Sequence, residues 1–169
     1  MATDIKTLYA GALRNTHAEE SQGLQQMESQ LEGLEKYPEY ARILREHVQV
    51  TRTQLQRLEQ ALSALGDSPS AFKEFVTNTA GRIGATVHAL AQDETLKNLY
   101  AGYAYQYHQI AAYRSLIVFA EQAGHTDHVA GFKQSIEEEK RAADRVEGLI
   151  ESITRQYLDM TLRGEKADS

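Results

Sequence analysis

Apolar residues recur every three or four positions along almost the whole chain, the period of an amphipathic helix, and no run shows the alternation a strand requires. From about Asp4 to Lys36 the stripe reads Tyr9, Leu13, Leu24, Met27, Leu31 and Leu34 and predicts a first long helix. Pro38 closes that helix and suits the first turn of the next, because its ring presets a helical φ and first-turn amides need no intrahelical partner. A second helix is expected to near Gly66, carrying Ile43, Leu44, Val48, Leu55, Leu58, Leu62 and Leu65. Ser68 and Pro69 form a cap and first-position pair for a shorter helix over about Ser70 to Gln92. Asp93 then caps a third long helix reaching Gly124, with Leu96, Leu99, Tyr103, Ile110, Tyr113 and Ile117 on one side. The last long helix opens at Thr126 or Asp127 and buries Val129, Phe132, Ile136, Val146, Ile150, Ile153 and Tyr157. Arg163 to Ser169 is polar and is expected to fray.

Helices of about thirty residues, each about 45 Å long, have to bury their stripes against one another. The first two are joined too tightly to be anything but an antiparallel hairpin, and so are the last two around Gly124. The stretch between the hairpins is long enough to cross the bundle. The expected fold is therefore all-α: a ferritin-like four-helix bundle in one domain over residues 1–169, its hairpins joined by a long crossover containing a short extra helix.

Composition narrows the chemistry. The 169 residues include no cysteine, which excludes thiolate metal sites, iron–sulfur clusters and disulfides. Eighteen basic against twenty-four acidic residues give a net charge of −6, with the two signs interleaved, so no nucleic-acid partner is expected. The most apolar stretch, Ile110 to Ala123, is broken by Arg114 and Glu121 and is too short to span a bilayer. With no basic, then apolar, leader at the first residues, the expectation is a cytoplasmic protein without membrane partners. Nucleophile-elbow, phosphate-loop and dinucleotide motifs are absent.

The informative positions are the polar residues inside the apolar stripes. Glu20 falls between Leu13 and Leu24, His47 and Thr51 between Leu44 and Leu55, Gln106 between Tyr103 and Ile110, and Glu139 between Ile136 and Val146. A buried carboxylate needs a metal, a cation or hydrogen-bond donors. Di-iron and di-manganese bundles supply a Glu from each of two helices and Glu-x-x-His from the other two. No Glu-x-x-His pair occupies an inward phase here, so Glu20, His47 and Glu139 would hold at most one metal weakly, and a purely structural polar layer reads the same way.

Nearly the whole chain resembles the YciE/YciF family of ferritin-like bacterial stress proteins. The matching residues are Asn15 to Gln22 in the first helix and His47, Thr51, Gln54, Arg57, Leu58 and Glu59 in the second. They continue with Ile110 to Tyr113, Ala120 to His125, and Ile136 to Lys140. The resemblance implies a ferritin-like bundle, often a homodimer, with a dinuclear metal centre and a role in stress responses. The departures fall on that centre. Val50 stands where the family has a carboxylate, Gln106 and Gln109 replace two glutamates, and Ala143 replaces an aspartate. Glutamine keeps the shape and the hydrogen bonds but supplies no charge to balance a cation.

The expectation is a non-enzymatic, stress-associated, homodimeric bundle without a cofactor. Glu20 and Glu139 would be held by Thr51, His47, Gln106 or Gln109, with one carboxyl pKa raised. The alternative is an iron- or manganese-binding carboxylate-bridged oxidase, a catalase-like enzyme or an iron-handling protein. Elsewhere, His125-Thr126-Asp127-His128 reads as helix-capping residues with two exposed histidines, although the spacing also suits zinc if a further ligand approaches. His17 reads as a packed histidine rather than a ligand beside Glu20. Tyr100, Tyr103 and Tyr107, with Tyr105 nearby, read as core and subunit-interface packing rather than redox tyrosines. Glu137 to Arg141 reads as a solvated face with Glu139 alone turned inward.

Overall fold

A computed structural model describes residues 4–66 and 94–168. The short helix expected over Ser70 to Gln92 and the Asp93 cap lie outside the described residues. The described residues form α1 (Ile5–Leu31), α2 (Pro38–Ala64), α3 (Glu94–Gln122), α4 (Val129–Glu147) and α5 (Ile150–Leu162), with a single 3₁₀ turn at Thr126–His128. No strand occurs among them.

Helix α1 stops five residues before the expected Lys36. Gly33 lowers helix propensity, and Pro38 excludes the residue before it from the helical region, leaving Tyr37 at φ −121° and ψ 65°. Three-residue turns carry the chain across this gap, and Leu34 and Tyr37 bury in the core although neither is helical. Pro38 takes the first turn of α2 as expected. The last long helix is not continuous. It pauses at Gly148 and Leu149, which turns Leu149 into the core and makes α5 a separate element.

Helices α1 and α2 form one hairpin, α3 and α4 the other, and α1 lies against α3 while α2 lies against α4. Tyr9 near the start of α1 meets His128, whereas Thr95 near the start of α3 meets Asp168 at the opposite end. Helices α2 and α3 thus run in the same direction, which is the ferritin-like arrangement of an all-α bundle. Among the described residues no helix is long and apolar enough to cross a membrane.

The residues after α5, expected to fray, are instead docked. Ala167 is buried, its carbonyl accepts from the Tyr37 hydroxyl at 3.0 Å, and the Asp168 carboxylate accepts from the Thr95 amide at 3.0 Å. Lys36 donates to the carbonyls of Lys166 and Asp168.

The apolar interior comes in two pieces. One, toward the Tyr37 end, includes Met27, Tyr40, Leu44, Leu99, Val146 and Ile153. The other, toward the His128 end, includes Tyr9, Leu13, Leu58, Tyr113, Leu116 and Phe132. Polar side chains lie between them.

Candidate functional site

The dividing layer contains every inward polar residue read from the sequence. Glu20, Thr51, Gln109 and Glu139 are fully buried, and His47 and Gln106 nearly so. Gln54 on α2 and Ser135 on α4 join them. All four long helices contribute at the same depth because each carries its polar residue midway along its apolar stripe.

Glu20 is held by tyrosines, not by the amides, Thr51 or His47. Tyr113 donates to one carboxylate oxygen at 2.9 Å and Tyr105 to the other at 3.2 Å. Tyr105 shares its single hydroxyl hydrogen between that oxygen and the Glu19 carbonyl at 3.0 Å, and its own oxygen accepts from the Gln109 amide at 2.7 Å. It reaches this position because Gly23 has no side chain: a Cβ there would lie 2.4 Å from the phenolic oxygen. Burial lifts the Glu20 carboxyl to about 7, the two phenol bonds offsetting part of the shift.

Glu139 has no such partners among the described residues. There neither of its oxygens finds a hydrogen-bond donor, and the His47 Nε2 atom stands 3.6 Å away, beyond bonding distance. Burial and the Glu20 charge push its pKa well above the usual carboxylate range, and the nearby Gln54 amide offsets only a part. His47 is pushed down to about 4 by burial and the Arg145 charge. At neutral pH the layer thus favours a neutral imidazole, and burial disfavours the charged form of Glu139. Thr51 Oγ1 and the side-chain carbonyls of Gln54, Gln106 and Gln109 are also unpaired among the described residues.

A cleft of about 130 Å³ runs from the charged surface residues Glu46, Arg141 and Arg145 to His47, Val50 and Gln106.

Glu138 departs from the solvated face expected of Glu137 to Arg141. Arg57 grips it with two bonds of 2.6 and 2.9 Å, and Gln54 adds a third at 3.3 Å. His17 is a packed histidine: Nε2 faces Glu59 at 3.0 Å and Nδ1 faces Ser21 at 3.3 Å. Tyr100 and Tyr107 are exposed rather than in the core, and Tyr107 meets Tyr103 edge to face. The expected caps at Thr126 and Asp127 are not formed, since neither the 3₁₀ turn nor α4 begins with a side-chain cap bond, and His125 and His128 are partly buried.

The donor set does not fit a dinuclear metal centre. Glu20 spends both oxygens on phenols, Gln106 and Gln109 carry no charge, and Val50 and Ala143 offer no donor atom. Among the described residues, the donor atoms of Glu20, His47 and Glu139 do not gather within the 4.8 Å that would make a three-ligand group.

Residues 4–159 match the family described as "Domain of unknown function (DUF892)". The chain belongs to this family of helical-bundle proteins. Among solved structures, a protein of Xanthomonas campestris pv. campestris superposes with a TM-score of 0.77 at 23% identity, over 94% of this chain and 98% of its own. YcfI of Rhodopseudomonas palustris gives 0.65 at 24% identity, over 86% and 94%. The E. coli stress protein YciF gives 0.67 at 18% identity, over 88% and 96%, in keeping with the YciE/YciF resemblance.

Proposed function

We propose that this protein is a non-enzymatic, stress-associated bundle whose inner site is a buried polar layer in place of a dinuclear metal centre. The observation that carries the reading is the capture of Glu20 by Tyr113 and Tyr105. A carboxylate bridging two metals through both oxygens needs both free, and here a phenol lies within hydrogen-bond distance of each. The stress association rests on the likeness to YciF, named as a stress protein. The test is elemental analysis of protein produced with iron and manganese in excess. The expected content is well below one metal per chain; close to two per chain overturns the reading.

One observation favours a second reading. Both Glu139 oxygens and His47 Nε2 are buried and unpaired among the described residues, and Nε2 lies 3.6 Å from one of those oxygens. That arrangement suits a single iron or manganese ion, and one equivalent of metal lost in Glu139→Gln supports it over the first.

An exposed stripe on α3 supports a homodimer. Tyr100, Tyr107 and Val118 are exposed, and at about 100° per residue they fall within about 20° of one another on the outer face. A second copy of the chain covers such a stripe. Light scattering on Tyr107→Glu, expected to shift the mass to that of a monomer, tests it.

A further inference from the structure

The turn between α3 and α4 carries a feature the polar layer does not use. Helix α3 ends at Gln122, and the chain then turns at Gly124, whose φ of +78° is the left-handed conformation that glycine adopts without strain. The His125 amide reaches back to the Ala120 carbonyl at 2.8 Å and the Gly124 amide to the Glu121 carbonyl at 3.2 Å, which closes the helix and fixes the backbone of His125. One 3₁₀ turn later His128 stands beside it. The two imidazoles are stacked, with centroids 5.1 Å apart and planes 14° apart.

His128 is oriented from below. The hydroxyl of Tyr9, a residue with no exposed surface, lies 2.8 Å from its Nδ1 atom. With Nδ1–H donating to the Tyr9 oxygen, the lone pair of Nε2 is free and turned toward Asp127, whose carboxylate is 3.7 Å away. One donor atom from each of His125, Asp127 and His128 lies within 4.8 Å of the other two. Ligands about 2.0–2.1 Å from a tetrahedral zinc ion stand about 3.4 Å apart, so the set is nearly closed. Asp127, 77% exposed, is free to swing through the remaining distance.

We propose that His125, Asp127 and His128 form a zinc-class divalent cation site at the α3–α4 turn, with Tyr9 as its positioning residue. Two imidazoles and a carboxylate are a borderline donor set that favours zinc over magnesium or calcium, and three ligands leave a fourth position for water. The helix-capping role that the sequence suggests for Thr126 and Asp127 does not compete, because no side-chain cap bond forms there. Bound zinc would tie the α3–α4 turn through His128 and Tyr9 to the first turns of α1.

Zinc chloride is titrated into the full chain at pH 7.5 against a chromogenic chelator. The expected result is one equivalent bound by the wild type, weakened at least tenfold in His125→Ala and in Asp127→Asn. His128→Ala also removes the partner of Tyr9, so its helicity is checked by circular dichroism, and His125→Ala keeps the test valid if that variant unfolds. Tyr9→Phe is expected to weaken zinc about tenfold, as lost support of a ligating histidine does, and to alter the visible spectrum of the cobalt(II) form. Glu20→Gln leaves zinc binding unchanged. Zinc bound equally by the wild type and His125→Ala, or lost in Glu20→Gln alone, overturns the proposal.

Discussion

Tyr113 donates to Glu20 across the α1–α3 interface at 2.9 Å, and both residues are fully buried. The bond is charge-assisted whenever Glu20 is ionised, and it is one of the two that restrain the rise of its pKa. Tyr113→Phe strands a buried carboxyl oxygen and is expected to cost about 1–3 kcal/mol in urea unfolding. The same substitution should move the Glu20 titration, followed by carboxyl carbon-13 shifts, above its value of about 7.

Protonation should shape stability with a definite sign. Glu20 titrates near 7 in the fold against an ordinary 4.5, so the folded chain binds the extra proton between those values and stability falls as pH rises through them. Glu139 is shifted the same way. His47, pushed down to about 4 from 6.5, acts oppositely: the unfolded chain binds the extra proton, and stability rises with pH up to 6.5. His17 and His128, also lowered mainly by burial, add to that rise. Between about pH 6.5 and 9 the histidine contributions are largely complete, the phenols do not yet titrate, and of the shifted groups the carboxyls alone act. The unfolding free energy from urea titrations should therefore decline above pH 6.5, by at most about 1.4 kcal/mol per pH unit for each carboxyl still titrating. Glu20→Gln should flatten the first part of that decline, and a profile unaltered by it would refute the assignment.

Alanine is favoured over glycine in a helix by about 1 kcal/mol. At position 23 the sign should reverse, because the new Cβ would meet the Tyr105 ring carbon Cζ at 2.5 Å and its oxygen at 2.4 Å. Gly23→Ala is expected to destabilise by about 1–3 kcal/mol. In a Tyr105→Ala background the same change should be neutral or stabilising, which a double-mutant cycle reads directly.

Restoring the lost charges should restore the metal. The variant combining Val50→Glu, Gln106→Glu, Gln109→Glu and Ala143→Asp is expected to retain iron or manganese at close to two per chain by elemental analysis. It should also be less stable than the wild type when stripped of metal, since more carboxyls are then buried. If it binds no more metal than the parent, the amides are not what withholds the metal.

The helices and their inward polar residues were legible because spacing alone places Glu20, His47, Thr51 and Glu139 in phase with leucines and isoleucines. Partners were not. The Glu20–Tyr113 contact spans 93 residues and the Tyr9–His128 contact 119, and both depend on how far each helix is rotated about its axis. Tyr105 was read as packing because its place depends on the missing side chain of Gly23 on another helix, although its spacing of four to Gln109 and eight to Tyr113 was available as a signal. The pause at Gly148 and the docking of Ala167 were hidden for a related reason. A glycine and a polar tail read as local weakness, while what decides their position is the surface they meet.

The division of the hydrophobic interior has an energetic consequence of its own. Leu58 and Leu99 sit in different apolar clusters, both without exposed surface. With the polar layer intervening, a void opened beside one leucine is not filled by repacking around the other. Leu58→Ala and Leu99→Ala should each cost about 2–5 kcal/mol, and the double variant should equal their sum to within about 0.5 kcal/mol. Each lobe is thus free to accumulate substitutions on its own account.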